Sequence, residues 1–144
     1  MFWRCPRRKN GRAKGLAGIS FALERGMFRI IPRPVHAATD YLYALALAAS
    51  PSLVGFEEDE DAVLAARVLA GTTVLASLST RYELGLVKLI PFNVHLLLDA
   101  LAALPTAAAP WVLGFSENKK ARNAFLAFAA FEMLAVLLSK RDGE

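Results

Sequence analysis

Cysteine is almost missing from this sequence of 144 residues: Cys5 stands alone, which excludes an internal disulfide and a cysteine-built zinc cluster. Histidine occurs twice, and charged residues make up 21% of the chain. No glycine-rich phosphate loop and no nucleophile elbow occurs, and Cys5 has no fixed base beside it. No enzyme and no cofactor is therefore expected. A further absence carries more weight. Tyr41 to Ala49 and Asn123 to Phe131 contain no polar stripe at helical spacing, although a helix on the surface of a soluble bundle needs one face that meets water.

The remainder is apolar. Hydrophobic residues reach 56% and the mean hydropathy is +0.38, which excludes a disordered chain. Four long stretches carry this character, at about 36–56, 62–80, 92–115 and 121–139, interrupted only by isolated polar residues such as Asp40, Arg67, Asp99 and Glu132. Each has the length an α-helix needs to cross a hydrocarbon core of about 30 Å. Helices apolar all round must be buried on all sides, and four of them cannot bury one another. The expected fold is all-α, with four transmembrane helices over 35–144 and lipid as their solvent.

Charge is unevenly placed. Nine of the seventeen Lys and Arg residues lie at Arg33 or before, so residues 1–34 form a basic tail. Within it Leu16, Ile19, Leu23, Met27 and Ile30 recur at steps of three and four. They predict an amphipathic helix over about 16–31, lying in the membrane interface with its cations near anionic lipid headgroups. Pro32 and Pro34 end it. A short apolar run without a cleavage site argues against a signal peptide, and no recognition motif supports nucleic-acid binding. With the tail inside, Arg81, Lys88, Lys140 and Arg141 also fall on the cytoplasmic side. The acidic run Glu57 to Asp61 falls outside, against the dissent of Lys119, Lys120 and Arg122. The expected location is a bacterial inner membrane with both termini cytoplasmic. Arg67 is expected to reach outward towards Glu60 or Asp61.

Displacing the chain by 59 residues aligns it with itself without a gap, with about 20 of 55 positions identical. His36 falls on His95, Asp40 on Asp99, Pro51 on Pro110, Gly55 on Gly114 and Phe56 on Phe115. The units run over about 31–85 and 90–144. Each holds two spans, so both enter the membrane in the same sense, related by a pseudo-two-fold axis along its normal. Ser50-Pro51-Ser52 with Gly55-Phe56, and Ala109-Pro110-Trp111 with Gly114-Phe115, resemble the SPW repeat family of small bacterial membrane proteins. Ser52 replaces the Trp of the first triplet and Ala109 the Ser of the second. The resemblance implies a helical membrane fold and no known activity.

Two sets of residues stand out. Pro51, Gly55, Phe56, Pro110, Trp111, Gly114 and Phe115 suit the outer ends of spans. There a proline frees a carbonyl, a hydroxyl such as that of Ser50 satisfies it, a glycine ends the helix and a tryptophan anchors the interface. The second set is His36, Asp40, His95, Asp99 and Glu132. A spacing of four stacks each His on its Asp, about one turn inside the cytoplasmic surface, with Glu132 a little deeper. A carboxylate at mid-span costs roughly 2.5–3.5 kcal/mol, less near the ends, so these groups need partners in the bundle interior. As polar ties between spans they would contribute about 0.6–2 kcal/mol each. As a site they would bind a divalent transition metal or relay protons. The leading expectation is a structural or interaction protein, with a homo-oligomer or another membrane protein as partner. The alternative is an ion- or proton-responsive transporter or sensor.

Overall fold

The computed structural model describes residues 29–141. Among them the chain forms four helices, α1 (Arg33–Val54), α2 (Glu60–Leu78), α3 (Phe92–Val112) and α4 (Lys119–Leu138), and no strand beyond two isolated bridges. Most of the amphipathic helix expected over 16–31 lies outside the described residues. Its last three positions, Arg29 to Ile31, are not helical, because the amides of Ile30 and Ile31 both donate to the Leu138 carbonyl instead.

Local chemistry sets each helix boundary. Pro32 and Pro91 precede α1 and α3, and their carbonyls accept the amides of Val35 and His36 and of Val94 and His95. Asp59 and Asn118 cap α2 and α4, each side chain accepting an amide three residues on, from Ala62 and Ala121, at 3.2 Å. Pro51 leaves the Leu47 carbonyl without its helical donor, and the Ser50 hydroxyl donates to it at 2.7 Å. Gly55 (φ +82°) and Gly114 (φ +85°) sit in the left-handed region just past α1 and α3, a conformation that carries little strain only without a Cβ. The helices thus end three residues short of the expected 115 and two short of 56.

Packing is organised as two hairpins, α1 with α2 and α3 with α4, with thinner contacts between α1 and α4 and between α2 and α3. The core is built largely of alanine, with Leu47, Phe56, Phe115 and Phe125 as its larger members; small residues let helix backbones approach closely. The leucines point away from it, Leu42, Leu45, Leu64, Leu97, Leu101 and Leu137 all being exposed. Helices α2, α3 and α4 are long and apolar enough to cross a membrane, and only 28%, 33% and 22% of their apolar windows is buried within the chain. Their remaining apolar surface needs a non-aqueous neighbour. Helix α1 does not meet the same measure, because His36, Asp40, Tyr41, Tyr43, Ser50, Pro51 and Ser52 lower its hydropathy. Arg67 is exposed, and among the described residues no ion pair joins it to Glu60 or Asp61, so its expected outward pairing is not found.

The two ends of the bundle differ. At one end Ile31 bridges Ser139 and Thr80 bridges Ile90. The Lys140 amide donates to Ile31 at 2.9 Å and the Arg81 amide to Ile90 at 2.8 Å. The start of α1 is therefore joined to the end of α4 as the end of α2 is joined to the start of α3. At the other end the Asn118 amide nitrogen donates to Asp59 at 2.9 Å and Lys120 to the Gly55 carbonyl at 3.3 Å.

A Cβ added at Gly114 meets nothing within 4 Å, so its substitution isolates the backbone effect. Gly114→Ala is expected to lower stability by about 1 kcal/mol and Gly114→Asn by less, measured by thermal unfolding in detergent.

Candidate functional site

His36 and His95 each lie in the first turn of a helix that follows a proline, and Asp40 and Asp99 lie one turn further on. Within each helix the expected stacking is present, with His36 Nε2 3.3 Å from Asp40 Oδ1 and His95 Nε2 3.2 Å from Asp99 Oδ2. The two hairpins also exchange partners, His36 Nε2 lying 3.2 Å from Asp99 Oδ2 and His95 Nε2 3.0 Å from Asp40 Oδ2. One ligating atom from each residue can be chosen so that all four lie within 4.8 Å of one another. Both imidazoles are buried.

Two hydroxyls lie against the outer nitrogens of the imidazoles. His36 Nδ1 lies 2.7 Å from the Ser139 hydroxyl, and His95 Nδ1 lies 3.0 Å from that of Thr80. Both hydroxyls donate their single proton to a carbonyl four residues back, Ser139 to Ala135 and Thr80 to Ala76, each at 2.7 Å. Each Nδ1 must therefore carry the proton it shares with its hydroxyl, and in the neutral ring Nε2 presents a bare lone pair. Those two lone pairs face carboxylate oxygens, and among the described residues no N–H or O–H donor reaches either of them. With both rings neutral, the arrangement is short of positive charge at its centre.

The carboxylates are placed unequally. Asp40 Oδ2 accepts from the Tyr82 hydroxyl at 3.1 Å and from Ser77 at 3.5 Å. Burial pushes the Tyr82 hydroxyl well above its ordinary pKa, so it stays a neutral donor. The connector that carries Tyr82 is tied to α1 by the bidentate Arg33–Glu83 pair, closest at 2.8 Å. The Arg33 guanidinium, through its hydrogen bonds, holds the Glu83 carboxyl below the usual carboxylate range. Among the described residues Asp99 has no such extra donor, and both aspartates line a cavity of about 20 Å³ together with His36, Tyr43, Thr73 and Glu132. Glu132 stands beside the quartet rather than in it, accepting from the Tyr43 hydroxyl at 3.2 Å. Phe92, Tyr82, Ala37 and Leu96 close the other sides.

The sequence singled out all four members of the quartet but not Thr80, Ser139, Tyr82 or Ser77. Thr80 and Ser139 carried a readable signal: they coincide under the displacement of 59 that overlays the two histidines. Tyr82 falls on Arg141 under the same shift and had none. The proline, glycine and aromatic set lies at the opposite end of the bundle. There Phe56 and Phe115 are buried and Trp111 is 57% exposed.

Three long apolar helices with outward-facing leucines around a buried polar centre define a helical membrane protein. The SPW repeat domain matches residues 34–139, and the chain belongs to that family. No curated protein and no solved structure matches it.

Tyr82→Phe removes a donor from a buried carboxylate and is expected to cost about 1.5–3 kcal/mol. Tyr41→Phe removes a hydroxyl that donates to the Leu84 carbonyl in an exposed position, and is expected to cost less than about 1 kcal/mol. Thermal unfolding of the two variants side by side checks the difference.

Proposed function

We propose that this chain is a small four-span protein of the bacterial cytoplasmic membrane, with both termini in the cytoplasm, whose buried His/Asp quartet binds a cation and thereby sets how its two hairpins are held together. The carrying observation is the convergence of His36 and Asp40 from one hairpin with His95 and Asp99 from the other. Hairpin-to-hairpin packing is otherwise thin, so the state of the quartet bears directly on it. The adjoining cavity of about 20 Å³ has room for about one water-sized occupant. That scale favours a sensor over a conducting path. Four spans are favoured because α1 is apolar outside its first turns and packs along α2. Two tandem units are favoured by the equivalent junctions at Ile31–Ser139 and Thr80–Ile90. A homo-oligomer or a second membrane protein would then read the change in hairpin packing.

The orientation rests on Arg33, Arg81, Lys88, Lys140 and Arg141 at the quartet's end of the bundle and Glu57 to Asp61 at the other. In a Cys5→Ser background, Glu58→Cys is expected to react with a membrane-impermeant maleimide in intact cells, and Leu86→Cys only after permeabilisation.

A structural or interaction role is the second reading, favoured because every buried side-chain nitrogen and oxygen among the described residues has a polar neighbour. Protonated histidines would complete the quartet as a tie between spans, with no ligand. Melting of the detergent-purified protein against Na⁺, K⁺, Mg²⁺, Ca²⁺, Mn²⁺ and Zn²⁺ separates the readings. A cation at a hundredfold excess over its Kd adds about 2.7 kcal/mol to the folded state. This gain is expected to vanish when Asp40→Asn and Asp99→Asn are combined, whereas a flat response to every cation supports the structural role.

A further inference from the structure

We infer that the quartet is a site for a divalent first-row transition metal, of which Zn²⁺ is the type. This rests on the cation-site reading above and names the class of ion. Two imidazole nitrogens and two carboxylate oxygens form an N₂O₂ donor set that suits zinc, iron or manganese, whereas magnesium and calcium prefer oxygen alone.

The distances support it. Tetrahedral zinc at 2.0–2.1 Å from each ligand places neighbouring ligand atoms about 3.3–3.4 Å apart. Asp99 Oδ2 lies 3.2 Å from both Nε2 atoms, which fits, whereas Asp40 turns Oδ1 to His36 at 3.3 Å and Oδ2 to His95 at 3.0 Å, and with one atom per residue all four ligands lie within 4.8 Å of one another. An imidazolium–carboxylate bond draws its atoms to about 2.7–2.9 Å. Each Nε2 here instead faces two oxygens at nearly equal, longer distances, so a single N–H cannot align with both.

Charge points the same way. Two aspartates and two neutral imidazoles sum to −2, and one divalent ion makes the buried assembly neutral. A neutral assembly is what a low-dielectric bundle tolerates.

The hydroxyls on the two Nδ1 atoms are the independent observation. Metal-bound histidines regularly donate their other N–H to a fixed acceptor, which sets the tautomer and turns the lone pair towards the ion. Thr80 and Ser139 perform this for His95 and His36, and their own protons are committed to Ala76 and Ala135. Both lone pairs thus enter one centre from buried rings with no protein donor to meet them. Thr80 and Ser139 act as positioning residues, not ligands. Glu132 lines the same cavity as Asp40 and Asp99.

The test uses the full chain, purified in detergent through a histidine-free tag, loaded with ZnCl₂ and dialysed. Elemental analysis is expected to find one Zn²⁺ per chain. X-ray absorption on the wild type is expected to show two imidazoles, two oxygens and no sulfur, the last excluding Cys5. Asp40→Asn with Asp99→Asn is expected to lose the ion. Thr80→Val with Ser139→Ala is expected to weaken affinity by about 10–100-fold, whereas the hydroxyl-retaining exchange Thr80→Ser with Ser139→Thr should stay close to wild type. Zinc bound without two imidazoles overturns the assignment even if every variant misfolds. Tighter binding of Mg²⁺, Ca²⁺ or an alkali ion than of Zn²⁺ and Mn²⁺ overturns the metal class and leaves the cation site standing. Binding of no cation from either group overturns both.

Discussion

Two carboxylates held within an apolar bundle are the constraint around which the rest of this molecule is arranged. An unpaired charge in such surroundings is costly. Each Asp lies against the histidine of its own helix and that of the other hairpin. The alanine-rich hairpins, the prolines that start α1 and α3, and the junctions beside Ser139 and Thr80 all bring these four side chains to one point.

The same physics separates the two ends of the bundle. At the quartet's end, backbone junctions join the hairpins and hydroxyls fix ring orientation. At the other end, the proline, glycine and aromatic residues shape helix termini: Ser50 satisfies the carbonyl that Pro51 frees, Gly55 and Gly114 take the left-handed turn, and Phe56 and Phe115 fill the core. The features that mark the family are therefore architectural, and the candidate chemistry lies at the far end of the same helices. A response at the quartet would reach the rest of the protein through the thin contacts of α1 with α4 and α2 with α3, where little other packing opposes it.

Otherwise equivalent positions are not held alike. Asp40 and Asp99 both border the small cavity with Glu132, but only Asp40 also accepts from Tyr82 and Ser77. Asp40 is the more firmly held of the two carboxylates.

Much of this was legible in the residues. Run length and the missing polar stripe marked the long helices, since lipid removes the need for a wet face. The displacement of 59 residues paired His36 with His95 and Asp40 with Asp99. Helical spacing placed each His on its Asp. The lower hydropathy of α1, the helix richest in polar groups, is itself a property of its residues, whereas no residue pattern showed that Arg29 to Ile31 leave the helical path to join Leu138. Exchange of partners between hairpins, the hydroxyls that fix the imidazole tautomers, and the choice of Tyr82 over Arg141 as the donor to a carboxylate were decided by tertiary structure alone. Sequence periodicity reports which residues share a face of one helix. Which faces meet, and at what separation, depends on contacts between residues 15 to 103 positions apart, and no local pattern encodes these.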